Sequence, residues 1–298
     1  MTADRPLASG PALQASSVRK RFKNKLALDG ADMSVEAGHV TALVGPNGAG
    51  KTTLIRTWLA FERPDSGQVQ VRGINPWKDR ARALANIAYV PQKAAVFGGL
   101  TVADHLAMAW GLQRSFDRGY AQRRLEQLDI PLRQRADTLS GGQAAQLGLA
   151  VALGTRRNTL VLDEPLANLD ALARREFLQV LLDAVAADGL TVLLSTHLVT
   201  DIEAACDRLA ILGGGRVLLD CPIDDARKMH RLTDLDAPPA DASLVGTFAH
   251  NRDLRPVALW RAVATSGASG EPNNVASLEE VVLGYLSAGR AVDAQRNR

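Results

Sequence analysis

The stretch Val40-Thr41-Ala42-Leu43-Val44-Gly45-Pro46-Asn47-Gly48-Ala49-Gly50-Lys51-Thr52 restricts the possible fold more than any other part of the chain. Val40 to Val44 is a short apolar run that reads as a buried strand, and Lys51 to Phe61 reads as a helix. A strand feeding a helix through so tight a glycine-rich loop belongs in an α/β core. Gly48 and Gly50 let the backbone approach an oxyanion and tolerate positive φ. Successive N–H groups then point inward at a helix N-terminus whose dipole end carries about half a positive charge. Gly45 to Thr52 fits the phosphate-binding loop template in full, with Lys51 reaching β- and γ-phosphates and the Thr52 hydroxyl binding Mg²⁺. Thr53 is placed to hydrogen-bond the α-phosphate region.

The remaining periodicity supports the same class. Gln68 to Arg72, Ile87 to Val90, Thr159 to Leu162 and Thr191 to Leu194 read as strands. Ala171 to Ala187 and Leu198 to Cys206 read as helices. Arg208 to Leu212 and Arg216 to Leu219 flank Gly213-Gly214-Gly215, a hairpin signal and an antiparallel portion. From Thr101 to about Leu153 the apolar spacing is helical, as at Val102, Leu106 and Ala109. The alternation predicts a mainly parallel sheet with an inserted helical subdomain at about residues 93–153.

The chain divides into a disordered lead-in at 1–12, a main domain at 13–235 and a small α+β accessory region at 236–298. In that region Asp236 to Asp241 is linker-like, Ser243 to Phe248 and Pro256 to Val263 are candidate strands, and Ser266 to Asn274 is a loop. A final helix runs to about Leu286, opened by a Ser277/Glu280 capping box. The last residues are expected to be disordered.

Composition excludes several function classes. The net charge is +3, but acids and bases are interspersed with no like-charge block, so no nucleic-acid partner is expected. The two cysteines, Cys206 and Cys221, have neither paired spacing nor a histidine at metal-ligand distance. That argues against a disulfide framework or zinc site and fits a reducing cytoplasm. No stretch approaches 18 uninterrupted apolar residues. If the protein works at a membrane, another chain crosses it.

Two further elements carry chemistry. Leu160-Val161-Leu162-Asp163-Glu164 is an apolar strand ending in two acids, which alternation sends to opposite faces. Asp163 is suited to hold Mg²⁺ through water, and Glu164 to polarise an attacking water. Leu139-Ser140-Gly141-Gly142-Gln143 opens a helix with Ser140 as N-cap and close backbone access, making a second anion-directed site. Within one chain no second phosphate loop faces it, which suggests that two copies meet around each nucleotide.

Set between a complete phosphate loop and the acid-ended strand, Leu139 to Gln143 resembles the signature of ATP-binding subunits of ABC transporters, and the resemblance covers about Leu13 to Met229. It implies a P-loop NTPase core that binds ATP and Mg²⁺. It further implies that His197, in Ser195-Thr196-His197, contacts the γ-phosphate and orients the catalytic water and Glu164. Gln92, after Tyr89-Val90-Pro91, would ligate Mg²⁺ or that water and couple nucleotide state to the membrane partner. Phe22 would stack on adenine, worth about 1–3 kcal/mol per base. Asn168-Leu169-Asp170 would cross a dimer interface, with Asp170 also a plausible helix N-cap. Ser140, Gly141, Gly142 and Gln143 would close over the partner copy's γ-phosphate. The sequence departs from the family at Ala144, where a basic residue usually follows the Gln, and Gln146 lies just beyond.

The resemblance implies an ATPase subunit, a homodimer or a heterodimer with a related subunit, driving a transmembrane permease subunit from the cytoplasmic inner face of the membrane. Leu166 to Phe177 and the C-terminal helix resemble bacterial export-type and drug-efflux subunits. An importer subunit is the nearest alternative. A soluble ABC ATPase acting on ribosomes or nucleic acid is the runner-up from another class.

Overall fold

The structure, a computed structural model, describes residues 10–93, 96–234, 242–250, 255–262 and 275–296. Its centre is a six-stranded sheet of β3 (Val40–Val44), β5 (Ile87–Val90), β6 (Thr159–Asp163), β7 (Thr191–Thr196), β8 (Arg208–Gly213) and β9 (Arg216–Pro222), ordered β5-β6-β7-β3-β8-β9. β5, β6, β7, β3 and β8 run parallel, and β9 turns back antiparallel at the edge. β3, β6 and β7 are buried along their whole length, so they read as continuous apolar runs rather than alternating ones. Because β7 lies between β3 and β6, its last residues sit between the strand that feeds the phosphate loop and the strand that ends in the acid pair.

A second, antiparallel sheet has the order β2-β1-β4, from β1 (Leu13–Phe22), β2 (Lys25–Val35) and β4 (Ser66–Val71). It packs with helix α1 (Lys51–Trp58) around Leu13, Val18, Leu28, Leu54, Ile55 and Trp58. The helix stops at Trp58 rather than Phe61 because Ala60 adopts φ 54, and the amides of Phe61 and Glu62 turn back onto Arg56 O. The lead-in expectation is corrected at its end. Ala12 is fully buried, donates to Val35 O and accepts from Arg72 N, whereas residues 1–9 lie outside the described part.

The short helix α2 (Arg80–Leu84) precedes β5, and the helical block follows with α3 (Val102–Leu112), α4 (Arg118–Gln127) and α5 (Gly141–Gly154). Its own core gathers Val102, Leu106, Phe116, Leu125, Ile130 and Leu147. The other face of α5 enters a core shared with β6, β7 and α6 (Ala171–Asp188) through Leu149 and Leu153. α5 thereby joins the insert to the sheet.

The C-terminal part begins earlier than the expected boundary at 235/236. After α7 (Thr200–Ala205) and α8 (Ile223–Met229), strand β10 (His230–Asp234) pairs with β12 (Arg255–Ala262), which pairs with β11 (Ala242–His250). Helix α9 (Leu278–Arg296) covers this sheet and runs past the expected end at Leu286. The Ser277/Glu280 capping box is present, with Ser277 N donating to Glu280 Oε2 at 2.7 Å. Leu259, Val281 and Tyr285 share one core with Ala42, Ile202 and Ile211, so this unit is packed onto the main sheet. His230 and Tyr285 join its parts: Nδ1 of His230 lies 2.6 Å from Ala226 O and Nε2 lies 3.1 Å from the Tyr285 hydroxyl. The linker segment Asp236–Asp241 and the Ser266–Asn274 loop lie outside the described residues.

Candidate functional site

At the carboxyl edge of β3 the chain turns through Gly45, Pro46, Asn47, Gly48, Ala49 and Gly50 into α1. Gly45, Ala49 and Gly50 are buried, while Asn47 and Gly48 stand exposed at the crown. Gly50 is the N-cap of α1 with φ 111, and no side chain caps the helix there. The first amides of α1 are therefore not claimed by a capping side chain, which is the arrangement an incoming anion uses. The loop is held from two sides: Gly215 N donates to Ala49 O at 3.1 Å, and Asp29 N donates to Gly215 O at 2.9 Å. This places the β8–β9 turn between the loop and β2.

Lys51 is 4% exposed. Its ammonium donates to Gly45 O at 2.6 Å and Pro46 O at 3.3 Å, and pairs with Glu164 Oε1 at 2.9 Å. Such a buried cation is tolerable because its donors have acceptors. Glu164 follows β6 in the left-handed region, φ 48, a conformation that costs a non-glycine residue about 1–3 kcal/mol. Its N–H donates to Ser195 Oγ at 2.9 Å, and its Oε2 lies 3.1 Å from His197 Nδ1. The carboxylate accepts from Lys51 on one oxygen and faces His197 with the other, so both of its oxygens are oriented.

Asp163, 1% exposed, ends β6 beside Thr52. Its Oδ1 accepts from Thr52 Oγ1 at 3.2 Å and from Ser195 Oγ at 2.8 Å. A hydroxyl and one carboxylate form a hard oxygen set, which suits Mg²⁺ completed by phosphate oxygens and water. Among the described residues no group of three or more His, Cys, Asp or Glu side chains could hold a metal by itself. Burial and the neighbouring Asp163 carboxylate push the Tyr89 phenol up to about 12, so it stays a neutral wall of this corner.

Ser195 and Tyr89 are the residues that motif reading left without a role. Ser195, on β7 two residues before His197, pairs in register with Asp163, and it ties the two acids together through one hydroxyl. No local sequence signal points to this role, which follows from β7 lying next to β6 in the sheet.

The other expected residues fall into three places. Gln92 follows β5 and Pro91, exposed, two residues beyond Val90, the register partner of Leu162. Thr53 sits in the first turn of α1. Phe22 ends β1, is 40% exposed, and carries the Lys20 ammonium 5.3 Å from its ring centroid. That is within cation–π range.

Ser140 and Gln143 form a capping box: Gln143 N donates to Ser140 Oγ at 3.1 Å, and Ser140 N donates to Gln143 Oε1 at 3.0 Å. Ser140 and Gly141 are exposed, and Gly142 packs against Ala173, where an added Cβ would meet that methyl at 2.9 Å. Asp170 caps α6 by accepting from Ala173 N at 2.9 Å. The Ser140 loop and the Asn168–Asp170 turn thus form one surface, on which no described contact reaches the Gly45–Thr53 loop.

Comparison with known proteins identifies relatives of this chain. The family described as ABC transporter matches residues 28–167. The phosphonates import ATP-binding protein PhnC 2 of Pseudomonas savastanoi pv. phaseolicola is 34% identical over 265 residues, 81% of this chain and 95% of the relative. The aliphatic sulfonates import ATP-binding protein SsuB of Pseudomonas putida is 34% identical over 281 residues, 91% of this chain and 93% of the relative. The linearmycin resistance ATP-binding protein LnrL of Bacillus subtilis is 31% identical over 212 residues, 69% of this chain and 68% of the relative. A solved ATP-binding subunit of an ABC transporter superposes with a TM-score of 0.64 at 26% identity, covering 73% of this chain and 92% of that one. On the site and on these relatives together, the chain belongs to the ABC transporter family, as one of its ATP-binding and ATP-hydrolysing subunits.

Proposed function

We propose that Glu164 is the general base of hydrolysis, oriented by His197 and held by Lys51, and that this triad works on ATP bound across Gly45 to Thr53. The observation that carries the reading is the meeting of the three side chains at the mouth of the phosphate loop, within 3.1 Å of one another in sequence Lys51–Glu164–His197. Phe22 would receive the adenine face. Thr52, Asp163 and Gln92 would hold Mg²⁺, which would supply positive charge to offset that of the phosphates. His197 keeps Glu164 turned toward the attacking water, and Ser195 fixes Asp163 and the Glu164 amide in one frame. A positioned base of this kind contributes roughly 10²–10⁴-fold in rate.

Two copies would form two such sites, Ser140, Gly141, Gly142 and Gln143 of each lying over the phosphates of the other, with Asp170 at the seam. The exposed Ser140 loop and its contact with the Asn168–Asp170 turn support that reading. No helix among the described residues is long and apolar enough to cross a membrane. Phe97, Trp110 and Leu112 of the helical block are more than half exposed and offer an apolar surface for a permease subunit at the inner face of the membrane.

For direction, the relatives named for import of phosphonates and aliphatic sulfonates cover more of this chain than the one named for linearmycin resistance. Import is therefore the first reading in place of the export direction expected from the sequence. Export remains a second reading because of that resistance relative. The test is ATP-driven movement of labelled phosphonate or alkylsulfonate in oriented membrane vesicles carrying the chain and its permease. Uptake that follows the import orientation supports the first reading; accumulation in the opposite orientation supports export. Glu164→Gln should retain ATP binding while hydrolysis and transport fall roughly 10²–10⁴-fold. Unchanged turnover removes Glu164 from its role.

A further inference from the structure

The β1–β2 hairpin supplies more than the aromatic Phe22. Lys25 opens β2 directly across the register from Phe22 and is exposed. A Cβ placed on Gly48, at the crown of the phosphate loop, would lie 3.3 Å from the Lys25 ammonium. This approach is built into the backbone. A Cβ on Gly50 would meet Ala27 O at 2.5 Å, so β2 rests against the loop two residues beyond Lys25. The Gly215 bridge to Ala49 O and Asp29 N fixes the same spacing.

The carboxylates on and beside the hairpin are engaged elsewhere. Asp29 pairs with Arg216 and Arg19, Asp32 accepts from the Ser17 amide, and Asp65, just before β4, takes Lys20 and the Arg21 amide. Lys25 has no ion pair among the described residues. Lys51, by contrast, is buried and already shared among Gly45 O, Pro46 O and Glu164. A cation on the solvent side of the crown therefore complements one beneath it.

We propose that Lys25 is a phosphate-binding cation of the nucleotide site, reaching the polyphosphate chain from the hairpin that presents Phe22. The proposal rests on the ATP-site reading above and adds to it a residue outside the phosphate loop. Its ammonium would donate charge-assisted hydrogen bonds to phosphate oxygens at the crown, where Gly48 has no side chain to block it. The phenyl ring and the ammonium would grip base and phosphates from one rigid hairpin.

The test is calorimetric titration of the full chain with ATP and ADP, without divalent metal so that nothing is hydrolysed, with adenosine binding followed by NMR. Lys25→Met should weaken ATP and ADP about three- to tenfold and leave adenosine unchanged. Lys25→Arg should restore most of the loss, and the gap between Lys25→Met and wild type should narrow at high salt. Equal losses for all three ligands, or none for any, overturn the proposal. A wild-type chain that fails to bind ATP refutes the ATP-site reading instead. Because Lys25 is exposed, its variants should melt with the wild type, which separates a binding defect from a folding one.

Discussion

Two helix N-termini are the candidate phosphate-facing ends of this molecule, and they are finished in opposite ways. α1 begins at Gly50 with no capping side chain, whereas α5 begins at Ser140 with a complete capping box. An uncapped end leaves its first amides for an anion and gives up the roughly 1 kcal/mol a cap supplies. The capped end has satisfied the Gln143 amide and the Ser140 amide internally, leaving the Gly141 and Gly142 amides and the Ser140 hydroxyl proton. The first end is built as a receptor, and the second as a rigid lid with a few donors. On the proposed reading, that difference would let one chain bind nucleotide alone while the second element acts only after a partner arrives.

The largest effect should come from closing the open end. Gly50 has φ 111 and would place a Cβ 2.5 Å from Ala27 O, a backbone atom that cannot swing aside. Gly50→Ala should cost roughly 1–3 kcal/mol from backbone strain alone, with the clash against β2 added. ATP binding should fall by more than about tenfold as the loop shifts. Thermal melting and ATP titration measure the two separately. A variant that melts and binds like the wild type would mean the loop does not need its left-handed turn.

The capped end should behave differently. Ser140→Ala should cost about 1 kcal/mol through the lost cap and leave ATP affinity of the single chain unchanged. Hydrolysis should drop all the same, because the donor missing from one chain belongs to the other chain's site. Mixing Ser140→Ala with Lys51→Ala sharpens this. Each mixed dimer should regain at most one working site, and activity should peak at intermediate mixing ratios. A flat or monotonic mixing curve would confine Ser140 to its own chain.

How much of this was legible in the sequence differs along the same line. The α1 loop and the acid-ended strand were readable because local chemistry fixes them: glycine spacing, a lysine-threonine pair, and an apolar run closed by two carboxylates. Strand and helix identities through the main sheet followed from continuous apolar runs. The β1–β2 hairpin was not read as strands. Its alternation breaks at Ser17, where φ is 49 and the register shifts, and a basic run at Arg19 to Arg21 hides what remains. Lys25 was missed for the same reason, since its place over Gly48 depends on that hairpin's register. The role of Ser195 is not legible in its motif, because which neighbour it meets depends on β7 lying between β3 and β6. The C-terminal boundary was misplaced because β10 looks like a continuation of α8 until its partner β12, more than twenty residues on, is known.

The smallest effect tests the helix behind the lid. Gln146 lies on α5 just past Ala144 and is 5% exposed, yet among the described residues neither its Oε1 nor its Nε2 has a hydrogen-bond partner. Leu149 and Leu153, one and two turns on, enter the core shared with α6. A buried unsatisfied amide costs about 1–3 kcal/mol, and an unbranched apolar side chain of similar length removes the cost without opening a cavity. Gln146→Met should therefore raise the melting temperature by a few degrees, within about 1 kcal/mol of stabilisation, and leave ATP affinity untouched. If the lid is held rigid by the capping box and the α6 contact at Ala173, hydrolysis should also be unchanged. A stabilised variant with slower hydrolysis would show instead that the orphan amide loosens α5 in a way closure requires, and that the lid end is less finished than its caps suggest.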